Sequence, residues 1–226
     1  MVDVWEVKER VIRDNDQTAK EVSDKLKKRN VFFVNLMGSP GCGKTTTLVR
    51  TIRALQNKYR IGVMEADVDS KVDAETVART GAKVVQLHTG GSCHMDADMT
   101  ERGLDYLGID DLDVVFLENI GNLVCPAEFD VGAAKKVMIL SVPEGDDKPL
   151  KYPLMFTVSD CLLINKTDTA PVFDFDMDRL YANLRSLGKE MPVFPVSSKN
   201  GAGFDAWIAW LEKEIADWRK EHGENH

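Results

Sequence analysis

The stretch Gly38-Ser39-Pro40-Gly41-Cys42-Gly43-Lys44-Thr45 decides the fold class, because it fits the pattern GxxxxGK(S/T) at every fixed position. The apolar residues 31–37 before it predict a buried strand, and a helix is predicted from about Lys44 to Asn57 after it. The glycines allow backbone N–H groups to surround phosphate oxygens, and the start of the helix adds a favourable dipole potential. The stretch therefore predicts a phosphate-binding loop of the P-loop NTPase type.

Six further apolar segments predict strands and alternate with segments of helical periodicity. The strands are expected at Ile61–Glu65, Lys83–Leu87, Val114–Glu118, Val137–Val142, Cys161–Asn165 and Val193–Val196. Helices are expected around Ala74–Ala78, Ala97–Tyr106, Met177–Leu187 and Phe204–Arg219. This order favours an α/β fold with a mostly parallel sheet of about seven strands and helices on both faces. Pro143–Pro153 predicts a loop. Residues 1–30 predict an N-terminal helix or two, packed on a nucleotide-binding domain of residues 31–226.

Composition narrows the function classes. The 226 residues have a net charge of −8, which argues against a broad nucleic-acid surface. No apolar run is long enough to suggest a membrane span, and the first residues lack the pattern of a signal peptide. We therefore expect a cytoplasmic protein, in which the four cysteines are free thiols or metal ligands rather than disulfides.

Three elements predict the nucleotide. Lys44 is expected to reach the β- and γ-phosphates and Thr45 to hold Mg²⁺; the loop residues expected at the nucleotide are Gly41, Cys42, Gly43, Lys44, Thr45 and Thr46. Asn165-Lys166-Thr167-Asp168 follows a predicted strand and matches the guanine-binding NKxD element. A carboxylate at Asp168 would accept hydrogen bonds from the N1–H and 2-amino group, and adenine lacks that donor pair. Val196-Ser197-Ser198-Lys199 is the third element, with Ser198 and Lys199 as the predicted nucleotide contacts. Together the three elements predict GTP as the nucleotide.

Two acids at strand ends are candidate Mg²⁺ ligands. Asp67 and Glu118 each close a predicted strand, where such acids commonly lie. Glu118-x-x-Gly121 parallels the switch element DxxG, in which the glycine amide contacts the γ-phosphate. We predict catalytic roles for Lys44, Asp67, Glu118 and Gly121. Whether Asp67, Asp69 or Asp73 positions the attacking water stays open.

A thiol and imidazole set predicts a second metal site. Cys93 and His94 are adjacent, and Cys125 lies seven residues after Glu118. These donors suit Zn²⁺, Ni²⁺ or copper rather than Mg²⁺ or Ca²⁺. Three ligands leave the shell incomplete, so water, another donor or a second subunit must complete it. Buried structural thiols are the alternative, and the sequence alone does not decide between the two.

The order of these motifs resembles that of the hydrogenase nickel-incorporation GTPases. The resemblance covers residues from about 30 to 210 and includes Gly91–Ala97, Glu118–Pro126 and the loop Gly145–Pro149. Its most specific parts are Cys93-His94 and Asn122-Leu123-Val124-Cys125-Pro126. It implies a GTPase of the metal-insertion type with low intrinsic turnover, which binds GTP or GDP, Mg²⁺ and either Ni²⁺ or Zn²⁺. The family places its metal site at a dimer interface, with ligands matching Cys93, His94 and Cys125.

The resemblance also implies partners. They are a second copy of the chain in a GTP-favoured homodimer, a nickel-binding maturation protein and the hydrogenase large-subunit precursor. Residues 1–30 contain no Cys or His, unlike the metal-rich N-terminal segment of many relatives. The alternatives are a urease accessory G protein, which carries Cys-Pro-His where this chain has Cys125-Pro126-Ala127, a P-loop kinase using ATP, and a metal-storage module without hydrolysis.

Overall fold

The computed structural model describes residues 7–67 and 72–223, and within them seven strands form one all-parallel sheet. The strands are Phe32–Gly38 (β1), Ile61–Asp67 (β2), Lys83–His88 (β3), Val114–Glu118 (β4), Lys135–Ser141 (β5), Cys161–Asn165 (β6) and Val193–Pro195 (β7). Their spatial order is β3-β2-β4-β1-β5-β6-β7. The predicted parallel sheet is confirmed, with strand ends that differ from the prediction by at most two residues.

Helices cover both faces of this sheet. In the described residues they are Val7–Lys28 (α1), Lys44–Leu55 (α2), Val72–Ala78 (α3), Ala97–Leu107 (α4), Cys125–Glu128 (α5), Lys148–Lys151 (α6), Pro153–Val158 (α7), Met177–Ser186 (α8) and Phe204–His222 (α9). One core joins α2 and α9 to one face of the sheet. Two further cores join α1 and α4, and α7 and α8, to the opposite face.

The two-residue period of β1 explains why both faces need cover. Phe32, Val34 and Leu36 contribute to the core under α2 and α9, whereas Phe33 and Met37 contribute to the two cores on the other side. All seven residues of the strand are buried. A strand that is apolar on both sides is typical of a parallel sheet between two helical layers.

The segment Pro143–Pro153 differs from its predicted loop. It contains most of a 3₁₀ turn, Val142–Glu144, the whole of α6 and the first residue of α7. A proline lies in the first turn of each of these three helices. Proline at this position is compatible with a helix because its missing N–H has no partner inside the helix there. The prolines that suggested a loop therefore begin short helices.

The N-terminal segment forms one helix in the described residues. Val22 and Leu26 of α1 are buried with Leu104 and Leu107 of α4. Helix α1 therefore packs against α4, on the same face of the sheet. No helix of the described residues is both apolar and long enough to cross a membrane.

Candidate functional site

The phosphate-binding loop connects β1 to α2 and depends on glycine at Gly43. This residue has φ 98° and caps α2. A Cβ at Gly43 would collide with the side-chain amide of Asn165, so only glycine fits both the conformation and the space. Lys44 folds back over the loop and its Nζ donates to the carbonyl oxygens of Gly38 at 3.4 Å and Ser39 at 3.3 Å. The loop thus presents an ammonium group at the start of a helix.

Thr45 and Glu118 meet beside this loop. The Thr45 hydroxyl donates to Oε1 of Glu118 at 2.8 Å, which joins the start of α2 to the end of β4. Gly121 packs on the loop, since a Cβ there would lie 2.8 Å from the nitrogen of Pro40. The backbone of Asp67 ends β2, but its side chain and the whole of Asp69 lie outside the described part of the chain.

Glu65 is a site residue that the sequence interpretation missed. Its β2 position pairs with Glu118 of β4, and both side chains are buried. Burial, followed by the charge of Glu118, raises the pKa of Glu65. Burial also raises the pKa of Glu118, while Lys44 acts in the opposite direction. One oxygen of each carboxyl group has no hydrogen-bond partner in the described structure. The two acids therefore favour holding a proton between them.

These groups line one cleft of about 670 Å³. Asp73, at the start of α3, lines this cleft, and so do Asn119, Ile120 and Gly121, which follow β4. The lining residues predicted from the sequence are Gly41, Gly43, Lys44, Thr45, Thr46, Glu118, Gly121 and Lys166. The cleft combines an ammonium, a hydroxyl and buried carboxyl groups, which is the chemistry needed to hold a nucleotide phosphate chain and a hard cation.

We expect Glu65→Gln to stabilise the protein at alkaline pH. Glu65 ionises near 4.5 in an unfolded chain, whereas the fold raises its pKa to about 10. Unfolding between these values releases a proton, so the free energy of unfolding falls as the pH rises. Glutamine keeps the shape, carries no charge and can donate to Glu118. The gain at pH 8 should be roughly 1–3 kcal/mol, measured by urea unfolding at pH 6 and pH 8.

Glu75→Gln is the matched control for this prediction. Glu75 is exposed on α3, so its replacement should leave the free energy of unfolding and its pH dependence unchanged. A Glu65→Gln variant with the same pH dependence as the parent chain would show that Glu65 is ionised in the fold.

The predicted guanine-side residues lie across the loop from Glu118. Asn165 ends β6, and its Nδ2 donates to the carbonyl of Cys42 at 2.9 Å. Oδ1 of Asn165 accepts from both the N–H and the hydroxyl of Ser198, at 3.0 and 2.9 Å. Lys166 reaches back over the loop, and its Nζ donates to the carbonyl of Gly41 at 2.6 Å. The element after β6 is therefore attached directly to the phosphate-binding loop.

Asp168 is exposed, and the hydroxyl of Ser197 fixes it. Ser197 donates to Oδ1 of Asp168 at 2.6 Å. This hydrogen bond, with smaller contributions from Lys199 and Lys166, lowers the pKa of Asp168, so its carboxylate is the stable form. Ser197 belongs to the predicted guanine-side element Val196-Ser197-Ser198-Lys199, but only Ser198 and Lys199 of that element were predicted as nucleotide contacts. The signal that identifies it is its place directly before Ser198, in the loop after β7 that faces Asn165 and Asp168.

The remaining predicted nucleotide residues divide between two environments. Thr46, Ser198 and Lys199 border a second cavity of about 520 Å³ beside α2, and Thr46 also borders the first. The Cys42 thiol instead points into the core under α2. Burial raises the pKa of Cys42 to about 11, so it is a neutral apolar group and only its backbone belongs to the loop.

Cys93, His94 and Cys125 come together at the same edge of the sheet. The Cys93 and Cys125 sulfurs are 3.0 Å apart, and Nδ1 of His94 lies 3.7 Å from the Cys93 sulfur. One donor atom of each residue lies within 4.8 Å of the others. Two thiols and an imidazole at this spacing fit Ni²⁺ or Zn²⁺. Cys161, by contrast, is buried inside β6.

Neighbouring aromatic and polar groups orient this cluster. The His94 ring stacks on Phe129, with centroids 3.9 Å apart and 24° between the planes. Burial lowers the pKa of His94, which favours the neutral form that binds metals. The hydrogen bond from Cys93, followed by burial, raises the pKa of Cys125. The described protein contacts therefore hold the imidazole ring and the two thiols close together without a bound metal.

The parallel α/β sheet and the phosphate-binding loop define a P-loop nucleotide-binding protein, and the thiol–imidazole cluster adds a separate group of potential metal ligands. The model of the family "CobW/HypB/UreG, nucleotide-binding domain" matches residues 32–195. This chain belongs to that family, and within it to the hydrogenase maturation factors HypB.

Named relatives and a solved structure support this placement. The chain is 43% identical over 209 residues to hydrogenase maturation factor HypB of Azotobacter chroococcum, covering 92% of this chain and 68% of the relative. It is 35% identical over 217 residues to the probable HypB of Methanocaldococcus jannaschii, covering 96% and 98% of the two chains. The crystal structure of Helicobacter pylori HypB in complex with nickel superposes with a TM-score of 0.85 at 34% identity, covering 94% of this chain and 99% of that one.

Proposed function

We propose that this protein is a GTP-hydrolysing metallochaperone that delivers nickel during the maturation of [NiFe] hydrogenase. One observation carries the proposal. The segment from Glu118 to Cys125 borders the nucleotide cleft at its start and supplies a thiol of the metal cluster at its end. A change at the nucleotide phosphates therefore has a short covalent route to the metal ligands.

Nickel is the proposed cargo of the Cys93, His94 and Cys125 cluster. The Helicobacter pylori relative was solved with nickel, and the donor set of this chain suits that ion as well as zinc. Three donors leave room for ligands from another molecule, which suits a metal that is to be passed on. We propose that a second copy of the chain supplies them in a GTP-favoured homodimer.

Mg²⁺ is the proposed ion of the nucleotide cleft, held by Thr45, Asp67 and Glu118. The unpartnered Glu118 oxygen, buried beside the Thr45 hydroxyl, fits an oxygen-seeking cation. A bound Mg²⁺ would neutralise charge on the phosphate oxygens.

The side chains of the cleft have distinct proposed roles in hydrolysis. Lys44 binds the β- and γ-phosphates, and the amide of Gly121 contacts the γ-phosphate. Among the three aspartates considered for orienting the attacking water, Asp73 has a described side chain that lines the cleft. Asp67 and Asp69 remain alternatives. Among the described lining residues there is no arginine or glutamine, so we propose a low intrinsic GTPase rate that a partner increases.

The proposed partners follow from the family. They are a separate nickel-binding maturation protein and the hydrogenase large-subunit precursor, in the cytoplasm. The urease accessory alternative is not favoured, because the matched relatives are HypB proteins. Residues 1–30 are proposed to form a helical segment packed on a GTPase domain of residues 31–226, with α1 lying against α4 as one support.

Nickel titration in three nucleotide states tests the proposed function. The nucleotide-free, GDP-bound and GTP-analogue-bound forms are titrated with Ni²⁺ while light scattering measures the mass. We expect the nickel affinity to differ at least fivefold between the GDP and GTP-analogue forms, the usual size of coupling between sites. The GTP-analogue form should have twice the monomer mass. Identical affinity and mass in all three states would contradict a nucleotide-controlled metallochaperone.

A further inference from the structure

The side chain of Asn122 connects the two chain segments that carry the thiols. Its Nδ2 donates to the main-chain carbonyl of Cys93 at 3.1 Å. Its Oδ1 accepts from the N–H of Val124 at 2.9 Å, directly before Cys125. A single amide group thus holds the Cys93 backbone against the turn that leads into α5.

The backbone of Asn122 is attached to the phosphate-binding loop. It forms an isolated antiparallel bridge with Gly38, the first residue of the loop. The preceding residue, Gly121, packs against Pro40 of the same loop with no space for a side chain. A displacement of Gly121 by a phosphate group must therefore move Asn122, because the two residues share a peptide unit.

Asn119, which lies directly after β4, has a different role. Its Oδ1 accepts from the N–H of Met95 at 3.3 Å, and its Nδ2 donates to Oδ1 of Asn35 in β1 at 3.2 Å. Asn119 is only 1% exposed. It anchors the start of the segment in the core, whereas Asn122 lies near the surface and can move without opening the core.

We propose that Asn122 is the positioning residue through which the nucleotide state sets the metal affinity. The inference rests on the proposed function and names the side chain that couples its two sites. When Gly121 moves relative to the phosphate-binding loop, the side-chain amide of Asn122 moves with it. The Cys93 carbonyl, which accepts a hydrogen bond from this amide, then moves as well. The distance between the Cys93 and Cys125 sulfurs, 3.0 Å in this structure, then changes with the nucleotide.

Asn122→Asp tests this inference with a minimal change of shape. Aspartate keeps the acceptor for the N–H of Val124 and removes the donor to the Cys93 carbonyl. The affinity for Ni²⁺ is measured by competition with a chromophoric chelator, in the GDP and GTP-analogue forms. We expect the parent ratio of the two affinities to fall to within about twofold of one. Asn122→Ala, which adds no charge near the thiols, should behave in the same way.

Asn183→Asp is the matched control. Nδ2 of Asn183 also donates to a main-chain carbonyl, that of Asp146, at 3.0 Å, and it lies on α8 away from both sites. This variant should keep the parent ratio. A purely structural role of Asn122 would weaken nickel binding in both nucleotide states and leave the ratio unchanged.

Three outcomes would overturn the inference. If both Asn122 variants keep the parent ratio, the coupling runs elsewhere and the proposed function stands. If both lose nickel binding altogether, Asn122 is needed to build the site rather than to couple it. If the parent chain shows a ratio of one, there is no coupling to transmit, and the proposed function fails with the inference.

Discussion

Asp168→Asn is expected to change the preferred nucleotide from guanine to xanthine. The Asp168 carboxylate, oriented by Ser197, accepts from two N–H donors of guanine in the proposed complex. An asparagine offers one acceptor and one donor, which matches xanthine, whose 2-position carries an oxygen instead of an amino group. A mismatched pair of polar groups in a base site lowers the affinity for the nucleotide by about 10²–10⁴-fold. Competition of GTP and XTP against a fluorescent GDP measures this change.

The control for this variant is Asp174→Asn. Asp174 is exposed just after the 3₁₀ turn Thr167–Val172, so its replacement changes the net charge equally without touching Ser197. It should leave the preference for GTP unchanged. If Asp168→Asn also binds GTP as tightly as the parent chain, Asp168 does not bind the base.

Replacing Cys93 and Cys125 together by alanine is expected to lower the nickel affinity at least 100-fold. The two sulfurs are two of the three donors in the described cluster, and at 3.0 Å apart they are close enough to bind the same ion. Loss of a residue that only orients a ligand already costs about 10–100-fold, so loss of two ligands must cost more. Equilibrium dialysis of Ni²⁺ against both proteins measures the change, and GDP affinity shows that the variant is folded.

Cys161→Val is the matched control for the thiol variant. Cys161 is buried in β6, so this change removes a sulfur while keeping an apolar side chain in the core. Nickel binding should match that of the parent chain. Stoichiometric, equally tight binding in the Cys93/Cys125 variant would mean that the nickel ligands lie elsewhere.

The elements that local patterns determine were predictable from the sequence. The strand before the phosphate-binding loop and the helix after it, together with the later apolar strands, place the loop and Asn165 at one edge of a parallel sheet. The motif spacing also predicts which residues approach the nucleotide, because parallel strands end at the same edge. The short helices after β5 were missed because proline at a helix start and proline in a loop look alike in sequence.

Contacts that depend on strand order could not be predicted. Glu65 pairs with Glu118 only because β2 lies next to β4, and the two residues are far apart in sequence. The position of Glu65 in a buried strand was predictable, but its pairing with Glu118 was not. The link from Asn122 to Cys93 has the same origin, since it joins the ends of β4 and β3, which lie on either side of β2.

The most direct test of the nucleotide-linked metal switch measures the affinity for a GTP analogue with and without saturating Ni²⁺. Linkage requires nickel to change this affinity, relative to that for GDP, by the same factor by which the GTP analogue changes the nickel affinity. We therefore predict a change of at least fivefold, which Asn122→Asp reduces to within about twofold of one. An equal ratio of GTP-analogue to GDP affinity with and without nickel would contradict the coupling of the two sites.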